Sequence, residues 1–208
     1  AMPTQVSFPG PADAGLFRVA SRGRLGRSPE QAFHDHMDAL RPVLEREILS
    51  RKIYWHAPSD RVVIPYPEQG FWIARACQKG RAPKYLCPTP KPRDLCVKFG
   101  AGDVLVLTED ILSAMKVARV TEAWALLGVR VSDHQITRIL QDGRPVVTWL
   151  DPDLAGQAGA TKIRAQLRAF GVPVRNVVSV RDPKLHSAEE IKEYLYVPRP
   201  NPSTAPQG

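Results

Sequence analysis

From residue 103 onward the chain alternates short apolar runs with amphipathic stretches, and this limits the fold more than any other feature of the sequence. Val104-Leu105-Val106-Leu107 is a continuous apolar run of strand length. Ile111, Ala114, Met115 and Ala118 then recur at three- and four-residue spacing, which is one face of a helix. The pair of patterns returns three more times. Ala123–Leu127, Val146–Leu150 and Val174–Val180 read as strands; Asp133–Leu140 and residues 155–170 and 187–195 read as helices. The helix over 155–170 carries Ala158, Ile163, Leu167 and Phe170, and Gly171 supplies its stop. Strands and helices alternating in this way imply crossover units and a parallel sheet, so the expected fold class is α/β.

The first hundred residues follow other rules. Residues 1–15 are rich in proline, glycine and small side chains and are expected to be loose. Residues 29–52 show helical spacing through Phe33, Met37, Leu40, Leu44 and Ile48, with Pro29 in the first turn and Pro42 as a kink. Arg61–Pro65 and Gly70–Ala74 are short β-like runs joined by Pro67-Glu68-Gln69-Gly70, the pattern of a hairpin. Residues 78–94 hold four prolines and read as an ordered loop. Four more prolines fall in the eleven residues from Pro198, a loose tail. The expected organisation is a loose segment 1–15, a basic subdomain 16–100, an α/β domain 101–197 and a tail 198–208. No apolar run approaches the ~20 residues of a membrane span, and the opening residues lack the pattern of a secretory signal. Ala1 ahead of Met2 reads as a cloning remnant.

Charge is unevenly spread. Residues 1–100 hold 16 Lys/Arg against 9 Asp/Glu, and residues 101–208 hold 13 against 12. Within 70–100, Arg75, Lys79, Arg81, Lys84, Lys91, Arg93 and Lys98 oppose only Asp94, with Phe71, Trp72 and Tyr85 interleaved. A basic field of that density favours a polyanion, and aromatics among bases can stack on nucleobases. Cys77, Cys87 and Cys96 match no zinc template, so free thiols are expected, with no structural zinc. His34 and His36 lie two apart and fall on different faces of a helix, as surface residues rather than ligands.

In an open parallel sheet, ligands bind beyond the carboxyl ends of the strands. The acids gather there: Glu109 and Asp110 after the first strand, Asp151 and Asp153 after the third, Asp182 after the fourth. Carboxylates from three strand ends would make an oxygen-rich site suited to Mg²⁺, which keeps water and phosphate oxygens in the rest of its shell. The plain structural alternative is that Asp151-Pro152-Asp153 opens a loop and caps the helix beginning near Leu154.

The segments Val104-Leu105-Val106-Leu107-Thr108-Glu109 and Thr148-Trp149-Leu150-Asp151-Pro152-Asp153-Leu154-Ala155-Gly156 resemble the two signature motifs of the Toprim domain of primases, topoisomerases and some nucleases. Upstream, Asp60–Pro67 resembles the strand that opens the core of bacterial-type primases. Trp72-Ile73-Ala74-Arg75 and Ala82-Pro83-Lys84-Tyr85-Leu86 are similar to its basic ridge. Leu126–Val129 with Asp133-His134-Gln135, and Arg181-Asp182-Pro183-Lys184, follow in the same order. Four departures stand out. Ser113 occupies the place of a second acid and Asp110 that of a glycine, while Cys87 and Val129 replace Asn and Thr.

The resemblance implies a Toprim domain with a parallel sheet flanked by helices, preceded by a smaller α+β basic subdomain. It implies primer synthesis by Mg²⁺- or Mn²⁺-dependent nucleotidyl transfer. Glu109, Asp151 and Asp153 would be the catalytic and metal-binding residues, with Asp182 for a second ion. Arg75, Lys79, Arg81 and Lys84 would take triphosphate and template phosphates, with Tyr85 or Trp72 against a base. Implied partners are single-stranded DNA, nucleoside triphosphates, a replicative helicase and a separate zinc-binding module, in a bacterial or phage-infected cytoplasm. A Toprim nuclease and a non-catalytic strand- or partner-binding module are the rival expectations.

Overall fold

The computed structural model describes residues 53–56, 59–66, 71–78, 80–88, 91–92 and 95–196. The expected helix over 29–52, the hairpin turn at 67–70 and the loose ends 1–15 and 198–208 lie outside these residues. The chain divides into two compact units, one through Leu95 and one from Cys96. The second unit therefore takes in residues 96–100, which the sequence reading leaves with the basic subdomain.

The first unit is built on an antiparallel sheet of four described strands in chain order: β1 (Tyr54–His56), β2 (Arg61–Tyr66), β3 (Phe71–Ala76) and β4 (Tyr85–Leu86). The expected hairpin is present, with Ile64 opposite Ile73 and Val62 opposite Arg75. Every residue of β2 is buried, so its run of Val62, Val63 and Ile64 fills both faces of the sheet rather than one. The segment read as loop between 78 and 94 differs in one respect: Tyr85 and Leu86 pair with Arg75 and Ala74. Two residues are too short a run to show period-2 alternation, so only the partner strand makes β4 a strand.

Arg61 holds that arrangement in place. It is buried, and its guanidinium donates to the carbonyls of Pro83 at 2.7 Å, Lys84 at 3.3 Å and Ala74 at 3.4 Å. Burial is the main cause that lowers its pKa, with the Arg81 charge next.

The second unit orders its strands β5-β7-β6-β8-β9. They are β5 (Val97–Phe99), β6 (Leu105–Thr108), β7 (Glu122–Ala125), β8 (Val146–Thr148) and β9 (Val174–Asn176). All neighbours are parallel except β5, which runs antiparallel to β7 at the edge. Helices α1 (Ile111–Val117), α2 (Asp133–Asp142), α3 (Leu154–Ala169) and α4 (Ala188–Tyr196) alternate with them, and a 3₁₀ turn spans Pro183–Leu185. The expected α/β order is therefore present, element by element.

The central strand β6 is buried at all four positions, as a strand covered on both faces must be. Leu105, Leu107, Leu150, Ile163 and Leu167 close the core around it, each at 1% exposure or less. Full burial of such side chains contributes roughly 1.5–3 kcal/mol apiece, which makes the strand ends a firm platform. Two expectations change. β5 alternates Val97 and Phe99 inward with Lys98 outward, so Lys98 belongs to this unit and not to the basic segment before it. The run Val174–Val180 leaves the sheet after Asn176, and Val178 and Val180 are 67% and 89% exposed. Asp182 thus follows a loop rather than a strand end.

Candidate active site

The carboxyl ends of β6 and β8 lie side by side, with Leu107 opposite Thr148. The backbone ladder continues past both: Trp149 N–H donates to the Leu107 carbonyl and Val177 N–H to the Thr148 carbonyl, each at 2.9 Å. Glu109 and Asp151 therefore leave adjacent strands at one edge of the sheet. Gly128 N–H donates to the Glu109 carbonyl at 3.1 Å, so the Leu126–Gly128 loop braces the acid from behind.

A polar relay holds Asp151. Thr148 Oγ1 donates to Asn176 Oδ1 at 3.1 Å, Asn176 Nδ2 to Gln157 Oε1 at 3.3 Å, and Gln157 Nε2 to the Asp151 carbonyl at 3.3 Å. Gly156 completes the support. A Cβ there would meet the Asp151 carbonyl oxygen at 2.2 Å, so the first turn of α3 can lie this close to the strand end only without a side chain. Asp153 caps that turn, its Oδ1 accepting from Gly156 N–H at 2.7 Å. The capping reading of Asp153 is thus correct.

Asp110 has a different task from Glu109. Its Oδ1 accepts from the backbone N–H groups of Leu112 at 2.7 Å and Ser113 at 3.1 Å, capping α1. Its Oδ2 accepts from Ser113 Oγ at 3.0 Å and from Lys184 Nζ at 3.1 Å. Ser113, standing where a second acid was expected, is fully buried and serves this cap. Lys184 also donates to Asp182 Oδ2, and its Nζ lies 4.0 Å from Asp151 Oδ2. One ammonium thus faces three carboxylates.

The electrostatics sort these acids into two classes. Burial raises the Glu109 carboxyl above its ordinary value, and the charges of Asp151, Asp153 and Asp110 raise it further. Burial also raises Asp151, with Asp110, Asp182 and Asp153 adding to the effect against the pull of Lys184. Asp110 moves the other way: burial would raise it, but Lys184 and the Ser113 hydrogen bonds hold it low. Lys184 is raised, because its carboxylate neighbours outweigh its burial. Glu109 Oε2 and Asp151 Oδ1 are buried without a hydrogen-bond partner. A buried carboxylate oxygen without a donor is costly unless a cation meets it.

The donor set fits a hard divalent cation. Among the described residues no three His, Cys, Asp or Glu side chains converge to hold an ion as they stand. Mg²⁺, however, is usually held by one or two carboxylates, with water and substrate phosphates in the remaining positions. Glu109 and Asp151 would supply that pair, and Asp153 lies close enough to perturb both.

In the first unit, Arg75, Lys84 and Tyr85 come together. The Arg75 guanidinium lies 5.7 Å and the Lys84 ammonium 5.5 Å from the Tyr85 ring centroid. Arg81 is drawn to Asp60 instead, at 3.6 Å. Trp72 is half-buried beside the fully buried Phe71. Lys79 lies outside the described residues. Burial raises the Cys77 thiol to about 12 and the Cys96 thiol to about 11.

Sequence reading did not single out Lys184 as a member of the acid site, nor Arg61 as the clamp of β4. In sequence, Lys184 differs in nothing from a surface lysine, and Arg61 looks like the first residue of a strand. Asp110 lies 74 residues from Lys184 in the chain, and Pro83 and Lys84 lie 22 and 23 residues from Arg61.

Residues 107–186 match a protein-family model described as Toprim-like. No curated protein sequence matches the chain. Among solved structures, the Aquifex aeolicus primase (zinc-binding and RNA polymerase domains) aligns with a TM-score of 0.54 at 21% identity, over 65% of this chain and 39% of that one. The primase fragment of the bacteriophage T7 primase-helicase protein aligns over 71% of each chain at 12% identity, with a TM-score of 0.42. The chain thus spans 39% of the Aquifex structure, and what is shared is the fold. Residues 107–186 are thus similar to a Toprim-like domain, and the fold is similar to that of the Aquifex primase structure. No described helix is long and apolar enough to cross a membrane.

Proposed function

We propose that this Toprim-like chain is the catalytic core of a DNA primase, making short RNA primers on single-stranded DNA by Mg²⁺-dependent nucleotidyl transfer. One observation supports it above the rest: the orphaned oxygens of Glu109 and Asp151 at the ends of adjacent strands. A bound divalent cation would neutralise phosphate charge and polarise the reacting oxygens. Glu109 and Asp151 would hold it, with Asp153 beside them.

In the reaction a ribonucleotide 3′-hydroxyl attacks the α-phosphate of a second triphosphate, a new P–O bond forms, and pyrophosphate leaves. Little covalent chemistry falls to the protein, and positioning with charge neutralisation does most of it. Glu109 is also the candidate to accept the hydroxyl proton. Arg75 and Lys84 would bind triphosphate and template phosphates, with Tyr85 offering a ring face to a base. Arg81 and Lys79 are assigned to the same anions. Single-stranded DNA and nucleoside triphosphates are the partners this reading requires, and a helicase and a separate zinc-binding module are the partners it admits.

The test is incorporation of labelled ribonucleotide on single-stranded DNA with Mg²⁺. Template-dependent product is expected, and it should vanish in Glu109→Gln. A folded protein that makes no product with Mg²⁺ or Mn²⁺ refutes the reading, and strand cleavage without triphosphates would assign a nuclease. A non-catalytic module that binds single strands or a replication partner is the second reading. It is favoured by Ser113 in place of an acid, and it requires that calorimetry detect no Mn²⁺ binding.

A further inference from the structure

We propose that the acid site takes a single divalent cation, and that the Lys184 ammonium stands where a second would otherwise bind. This rests on the metal-dependent reading above and specifies its ion count. The carboxylates fall into two sets by what they touch. Asp110 has both oxygens engaged, by two backbone N–H groups, Ser113 Oγ and Lys184. Asp182 is engaged by the same ammonium. Asp182 keeps Oδ2 on the ammonium, and Asp110 does not offer a free oxygen to an ion. Glu109 Oε2 and Asp151 Oδ1 do.

Lys184 is held where it is by the backbone that carries it. Leu185 N–H donates to the Asp182 carbonyl at 2.9 Å and His186 N–H to the Pro183 carbonyl at 3.2 Å, which closes the 3₁₀ turn. Below the turn, Trp149 Nε1 donates to Ser179 Oγ at 2.8 Å, and Ser179 Oγ donates to the Arg181 carbonyl at 2.7 Å. The buried His186 ring packs on Trp149 at 5.3 Å and on Tyr194 at 5.1 Å between centroids. With its stem on this turn, the ammonium keeps two carboxylates occupied and lies 4.0 Å from a third, Asp151. A dication replacing it would have to break those contacts. An ammonium is a compact point charge with three donors, and two of them are donated to Asp110 and Asp182.

Mn²⁺ counted by calorimetry and by the electron paramagnetic resonance signal of free Mn²⁺ tests this without reference to turnover. Wild-type protein is expected to bind one ion, and Lys184→Met, which keeps the stem and removes the charge, is expected to bind two. Lys184→Arg should stay at one. Two ions on wild type would overturn the role given to Lys184 while leaving the metal site intact. No ion on wild type would overturn the metal site itself. One ion on a Lys184→Met variant that melts cooperatively would assign Lys184 to packing. Should that variant fail to fold, the wild-type count alone decides, since two ions there is incompatible with the proposal.

Discussion

Replacing Gly156 by alanine reverses the usual sign of a helical substitution, and the structure sets the size of the effect. In a helix, glycine to alanine ordinarily gains about 1 kcal/mol from backbone entropy. Here the new Cβ would lie 2.2 Å from the Asp151 carbonyl oxygen and 3.1 Å from its carbon, while ordinary contact begins at 3.4 Å. The obstacle is backbone and cannot rotate away, so α3 and the end of β8 must part by about 1 Å. Overpacking of that kind costs about 1–3 kcal/mol. A displacement of about 1 Å in a positioned group can cost on the order of 10²-fold in rate. The Gln157 to Asp151 hydrogen bond, already 3.3 Å, would break as the two move apart. Gly156→Ala is therefore expected to melt several degrees below wild type, at about 2–4 °C per kcal/mol. Primer synthesis should fall about 100-fold. Thermal unfolding by circular dichroism and ribonucleotide incorporation on the same preparation check both. A variant more stable than wild type with unreduced synthesis would show that the close approach does not position Asp151.

Asp151→Asn should lose Mg²⁺-dependent incorporation while keeping the fold. Because ionising Glu109 and Asp151 is opposed by burial and like charges, that penalty is present above their raised values and disappears as pH falls below the ordinary carboxylate range. Metal-free Asp151→Asn should thus be the more stable protein at neutral pH, with the gap closing toward pH ~4; a gap that widens in acid contradicts the assignment. Lys84→Ala should weaken template binding and reduce the slope of log affinity against log salt by about 1; an unchanged slope removes Lys84 from the phosphate contacts. Arg61→Ala leaves the carbonyls of Pro83, Lys84 and Ala74 without their donor and should destabilise the first unit by about 2–4 kcal/mol in denaturant titration. A loss below about 0.5 kcal/mol would mean that water replaces the guanidinium there.

The order of strands and helices from residue 105 to 196 was legible because each element writes its own period into consecutive residues. Apolar runs such as Leu105–Thr108 and Val146–Thr148 need only local reading, as does the placing of acids after them. Tyr85-Leu86 and Val97–Phe99 were not legible as strands, because two or three residues carry no period. The strand over 174–180 was read too long for the converse reason: Val178 and Val180 have the right composition, but backbone pairing with β8 ends at Val177 N–H and both side chains face solvent.

The sequence by itself determined the α/β alternation, the parallel connections and the presence of acids at the ends of β6 and β8. Only the tertiary structure decided what each acid does. Glu109 and Asp110 are adjacent in the chain, yet one has an orphaned oxygen and the other caps a helix and binds Lys184. Charge and hydrogen bonding act through space at 3–4 Å, and those neighbours come from segments tens of residues apart. A carboxylate's role is therefore set by contacts that no local pattern contains.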